Sequence, residues 1–130
     1  MSRERWGARV LANSPKLNNT PAAHDAKVEI RMNVRDSLGG PSKCRVFDAF
    51  AGEGVLGRAC WLDCAQYVGC DKTWYRDDRL CYVADNLRVM RAVDLGQFNV
   101  FDLDAYGSPW EQVEILVARR QLAPGELLGV

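Results

Sequence analysis

The stretch Asp48-Ala-Phe-Ala-Gly52-Glu-Gly54-Val-Leu-Gly57 joins a short apolar run, residues 44–50, to a helical pattern. In that pattern Val55, Leu56, Ala59, Cys60 and Leu62 suit one buried face. Strand, glycine turn, helix is the opening unit of an α/β sheet, and the pattern repeats on either side. Upstream, a helix is expected from about His24 to Leu38, halted by Gly39-Gly40-Pro41. Downstream, residues 65–71 read as a second strand ending in Asp71. Leu80, Val83, Ala84, Leu87, Met90 and Val93 step at three and four as one amphipathic helix. Residues 80–85 also suit a strand. Only about eight residues would then link it to Asp71, where a parallel crossover needs roughly a dozen, so the helix is preferred. Residues 98–104 form a third strand ending in Asp104, residues 111–122 a helix, and residues 126–130 the start of another strand. Strands alternating with helices predict a doubly wound, mainly parallel α/β sheet of Rossmann-like type. One domain over residues 24–130 follows an irregular arm, residues 1–23, rich in proline and asparagine.

The composition narrows the function. The chain has 130 residues, 48% hydrophobic and 26% charged, with 17 basic and 17 acidic side chains. A zero formal net charge argues against a generic polyelectrolyte binder. Residues 1–45 nonetheless carry nine basic residues against four acidic ones, so a basic arm precedes an acidic remainder. No apolar run approaches the ~20 residues of a membrane helix, and no secretory h-region is visible at the N-terminus. With five cysteines, an odd count, the expectation is reduced thiols and a cytoplasmic location. Cys60 and Cys64 lie four apart, but paired C-x2-C spacings are lacking and His24 stands alone, so no metal site is expected.

Glycines at 52, 54 and 57 fit G-x-G-x-x-G, a pattern that lets a helix N-terminus approach a pyrophosphate. A nicotinamide-dependent oxidoreductase is one reading of it. Asp48, four residues before the first glycine, would repel a pyrophosphate and attract a cation. S-adenosylmethionine carries an ammonium and a sulfonium and no phosphate, and therefore suits an acidic strand end. Asp71, seventeen residues after Gly54, is placed to accept ribose hydroxyls. Either acid alone is an ordinary strand-end residue. The ordered pair around a Gly-x-Gly loop is more specific.

Residues 46–54 and 67–72, Tyr-Val-Gly-Cys-Asp-Lys, resemble motifs I and II of the class I S-adenosylmethionine-dependent methyltransferases. That resemblance implies a cofactor site of Asp48, Phe50, Gly52, Gly54, Asp71 and Lys72. Asp102-Leu-Asp104-Ala-Tyr-Gly-Ser-Pro109 is similar to the D-x-D-P-F-G-S-P signature of the tRNA guanine-N2 dimethyltransferases, with Ala105 in place of proline. The resemblance covers roughly residues 44–130. It implies methyl transfer to an amino group of a nucleic-acid base, RNA ahead of DNA. Asp104 would accept an amine N–H, the Ala105 carbonyl the other, and Tyr106 would stack on the base. A second register puts Asp104 in the adenine pocket, where Trp74 could also lie. Trp110 is read as either a base contact or a core anchor. A catalytically silent, methyltransferase-like binding subunit is the further alternative. Members of the family continue beyond the fifth strand, so the C-terminal strands are expected to be missing. Leu127, Leu128 and Val130 would then leave an edge that pairs with another copy or a partner.

Overall fold

The computed structural model describes residues 20–105, 107–121 and 127–128. Five parallel strands form one sheet in the order β3-β2-β1-β4-β5: β1 Arg45–Asp48, β2 Gln66–Asp71, β3 Cys81–Val83, β4 Val100–Asp102 and β5 Leu127–Leu128. Helices α1 Pro21–Leu38, α2 Val55–Cys60, α3 Asn86–Ala92 and α4 Trp110–Arg119 cover it. The order reverses between β1 and β4, and ligands of open α/β sheets bind outside the strand C-termini at such a reversal.

Alternation along the strands builds two cores. Phe47, Val68, Cys70 and Phe101 face α3 and α4, packing with Val89, Met90, Leu95, Phe98 and Leu116. Val46 and Val100 face the other way, with Cys60, Trp61 and the α1 residues Val28, Val34 and Leu38. The same period of two turns Asp48 and Asp102 toward the α1 side.

Helix α1 starts where Thr20 accepts the N–H of Ala23 at 3.1 Å, with Pro21 opening the first turn. Residues 21–23, assigned from the sequence to the arm, are therefore its first turn. It ends at Gly39, whose φ of +106° is left-handed.

Three sequence expectations are corrected. Leu80–Val93 is not one helix: Cys81–Val83 pairs in parallel with β2, and Asp85 caps α3 by accepting the N–H of Leu87 at 3.0 Å. Leu80 and Val83, assigned to a buried helix stripe, lie 69% and 51% exposed. Residues 72–80 make the crossover without a helix. Hydrogen bonds of Asp77 and Arg79 hold that short link in place of a packed helix face. On α2, Val55, Ala59 and Leu62 point outward, and Gly57, Cys60 and Trp61 are the buried set. Finally, β4 stops at Asp102, two residues before Asp104. Among the described residues, no helix is long and apolar enough to cross a membrane.

Candidate functional site

The turn after β1 is held from every side. Ala49 donates to Asp102 O at 3.1 Å, and its own carbonyl accepts from Asn86 Nδ2 at 2.8 Å. Gln112 Nε2 in turn fixes Asn86 Oδ1 at 2.9 Å. Ala51 N–H bonds Cys70 O at 3.0 Å, and Gly52 N–H bonds Asp71 Oδ2 at 2.9 Å. Asp71 Oδ1 accepts from Thr73 N at 2.9 Å. The two strand-end acids expected at the site thus bracket the glycine turn, and Asp71 fastens it directly.

Two glycines matter for different reasons. Gly52, at φ +53°, has nothing within 4 Å of where a Cβ would stand. It leaves open space beside Asp71, in a cavity of about 50 Å³ that Thr73, Trp74, Cys81 and Val83 help to line. Gly54, at φ +91°, would drive a Cβ to 2.7 Å from Arg79 Cζ. The third glycine of the pattern, Gly57, lies 3.0 Å from the Tyr67 hydroxyl by the same measure, so it permits close packing of α2 on β2.

Arg79 closes this arrangement. Its Nε and Nη2 bond Asp77 Oδ2 at 3.1 and 2.8 Å, and Nη2 also reaches Gly52 O at 2.7 Å. Nη1 reaches Ala51 O at 3.1 Å and the Tyr67 hydroxyl at 3.4 Å. All five N–H groups of the guanidinium are engaged. Arg79 is therefore a clamp between the crossover and the glycine turn, with no donor left for a phosphate. Its bond holds the Asp77 carboxyl below the usual carboxylate range.

Asp48 is 4% exposed and stands in direct register with Asp102, 1% exposed, on the neighbouring strand. Arg31 engages Asp102 through Nε at 2.8 Å and Nη2 at 2.6 Å, and Trp61 Nε1 adds 2.9 Å. Asp48 receives two neutral donors, the Tyr67 hydroxyl at 2.7 Å and the backbone N–H of Phe50. Burial, then the Asp102 charge, lifts Asp48 to about 7, against the pull of the Tyr67 bond and the Arg31 charge. The crevice holds a buried carboxyl short of positive charge.

Of the other expected residues, Phe50 is half-buried against the α3–α4 core and Lys72 is exposed. Asp104 lies at the crevice mouth, where Lys27 Nζ reaches its Oδ2 at 3.2 Å. Ala105 closes a tight turn by donating to Leu103 O at 2.9 Å. Proline, which lacks that N–H, would fix the same turn through its ring. Tyr106 lies outside the described residues. Trp74 is 68% exposed on the rim of the smaller cavity. Trp110 is 62% exposed, which removes the core-anchor reading.

A larger cavity, about 290 Å³, lies behind Arg79 between Trp61, Leu62 and Leu80. Arg79 and Tyr67, which also line it, already spend their hydrogen bonds within the fold. Its position is the flank that a helix in the β2–β3 crossover would cover.

Sequence reading missed Arg31, Tyr67, Arg79 and Lys27. The signal for two of them was present, because Lys27, Arg31 and Arg35 recur every four residues on one helix face. Compared with family models, with curated proteins and with solved structures, the chain finds no match.

Proposed function

We propose that the chain transfers a methyl group from S-adenosylmethionine to an amino nitrogen of a nucleic-acid base, RNA before DNA. The observation that carries this reading is the charge imbalance at the sheet's reversal. Two buried carboxyls, Asp48 and Asp102, share one arginine there, and Asp71 ends the next strand beside the open face of Gly52. A ligand with positive charge and vicinal hydroxyls meets both needs. A pyrophosphate meets neither, because Asp48, Asp71 and Asp77 surround the turn and Arg79 is fully engaged. That chemistry favours S-adenosylmethionine over a nicotinamide dinucleotide on the same glycines.

When bound, S-adenosylmethionine supplies an electrophilic methyl group. Asp48 would face its cationic end and Asp71 its ribose. Asp104 has one oxygen on Lys27 and, among the described residues, carries no bond on the other. That free oxygen is suited to accept an amine N–H, which draws the nitrogen lone pair out of conjugation with the ring. The carbonyl of Ala105 is the second acceptor. As the nitrogen gains its new carbon it must lose a proton, which passes to Asp104 and on to water. Helix α1 supports a polyanionic substrate. Its start at Thr20, about 10 Å along the helix axis from the crevice mouth, is where the basic residues 1–19 meet the described part of the chain.

Calorimetric titration with S-adenosylmethionine and with NAD tests the cofactor. Binding of NAD alone would overturn the proposal. Methyl incorporation into unmodified RNA tests the reaction. Asp104→Ala should lower it on the order of 100-fold while sparing cofactor affinity. A joint loss would move Asp104 into the adenine pocket. Binding without incorporation, by wild type, would leave the silent-subunit reading.

A further inference from the structure

The inner face of α1 carries three cations at successive turns, and each meets a different acid. Arg35 bonds Asp63 through both Nη atoms, at 3.0 and 2.9 Å, and also reaches Cys60 O at 2.7 Å. Arg31, 2% exposed, holds Asp102 and sends Nη1 back to Lys27 O at 3.0 Å. Lys27 reaches Asp104 at 3.2 Å, with side chains 26% and 24% exposed. The first two rungs tie α1 to α2 and to β4. The third differs from both. Among the described residues it makes a single hydrogen bond, and its acid keeps an oxygen for something else.

We infer that Lys27 is a positioning residue for Asp104, holding its carboxylate with Oδ2 anchored and Oδ1 turned to an incoming amine. The inference rests on the methyl-transfer reading above. Lysine suits the task in two ways. Its ammonium donates without accepting, so it cannot compete with Asp104 for the amine's hydrogen. It also supplies a positive charge that stays in place while Asp104 takes up and releases the amine's proton. The anchoring of α1 by Arg31 and Arg35 keeps the ammonium within reach, and Arg31 Nη2, 3.9 Å from the same Oδ2, reinforces it. A carboxylate left to rotate would present its acceptor only part of the time, and misplacement by about 1 Å costs on the order of 100-fold in rate.

The test uses the full chain with Lys27→Met and Lys27→Arg. Lys27→Met should lower kcat for RNA methylation about 10- to 100-fold. The dissociation constants for S-adenosylmethionine and RNA, and the melting temperature, should stay at wild-type values. Lys27→Arg should recover most of the loss. Independently of activity, the ammonium ¹⁵N resonance of Lys27, slowed against solvent exchange, should be present in wild type and lost in Asp104→Asn. An unchanged kcat with weaker RNA binding in Lys27→Met would make Lys27 a phosphate contact and overturn the inference. So would an unprotected ammonium in wild type. A wild-type protein that binds no S-adenosylmethionine fails at an earlier step and removes the reading itself. One that binds and methylates while Lys27→Met is unaffected removes only the role of Lys27.

Discussion

Asp48 and Asp102 stand side by side in the sheet, both buried, both on the α1 side, and both ending their strands. Their partners separate them. Asp102 takes two guanidinium bonds and an indole N–H, whereas Asp48 takes a phenol and the Phe50 backbone N–H, both neutral donors. The first is bound into the fold, and the second is held in a state that a cation would improve. Chemical type and burial are the same in the two, so what distinguishes a structural acid from a ligand-facing one is the completeness of its partners.

The widest gap between the two acids should appear in stability. Asp102→Ala leaves Arg31 buried without its bidentate partner and should cost about 3–5 kcal/mol, read as a lowered urea midpoint. Asp48→Asn keeps an acceptor for Tyr67 and should be neutral or stabilising at pH 8. A raised folded-state value means that the protonated form suits the fold. The stability it contributes is complete below the ordinary 3.8 and is lost as pH rises through about 7. Equal losses in the two variants would break the comparison.

Asp71→Ala should weaken S-adenosylmethionine binding by about 1.5–3 kcal/mol with folding kept, by calorimetry. Asp48 should make that affinity depend on pH. A cation prefers the ionised carboxyl, so affinity should rise from pH 6 to 8, by up to about tenfold per pH unit below 7. Binding should release a proton, seen as a buffer-dependent heat. Affinity that is flat across this range would show that Asp48 faces no cation. The smallest effect is optical. The cavity beside Asp71, about 50 Å³, is smaller than usual ligand pockets of about 300 Å³ and more, so residues 72–80 must shift to admit a nucleoside. Trp74 fluorescence should change on binding, and Trp74→Phe should abolish the change.

Residues governed by neighbours in sequence were legible in advance. Gly52, Gly54 and Asp71 follow from a turn that must pass close to a helix start, and α1 from its spacing and its glycine stop, although its Thr20 cap and first turn lay in what reads as an irregular stretch. Asp77 and Arg79 were not read as site residues, because the clamp closes on carbonyls 27 and 28 residues away. Arg31 and Tyr67 meet acids 71 and 19 residues distant, and no periodicity encodes such a meeting. The β3 error has another cause. Leu80, Val83, Leu87 and Met90 satisfy a helical spacing, yet three residues of extended chain satisfy pairing with β2. A short apolar run does not distinguish them. Clamped by Arg79 and Asp77, the β2–β3 crossover is also shorter than helix-bearing crossovers.

The reversal of strand order has a kinetic side as well. β1 finds β2 across about twenty residues, but Val46 meets Val100 only after β2, β3 and α3 have intervened. Contacts so distant in sequence close late, so the zipping of β4 onto β1 is expected to be the slow step of folding. That step brings Asp102 against Asp48, and a proton on Asp48 removes the repulsion at the closing seam. Refolding should accordingly run faster at pH 6 than at pH 8, with the crevice the last part of the molecule to form.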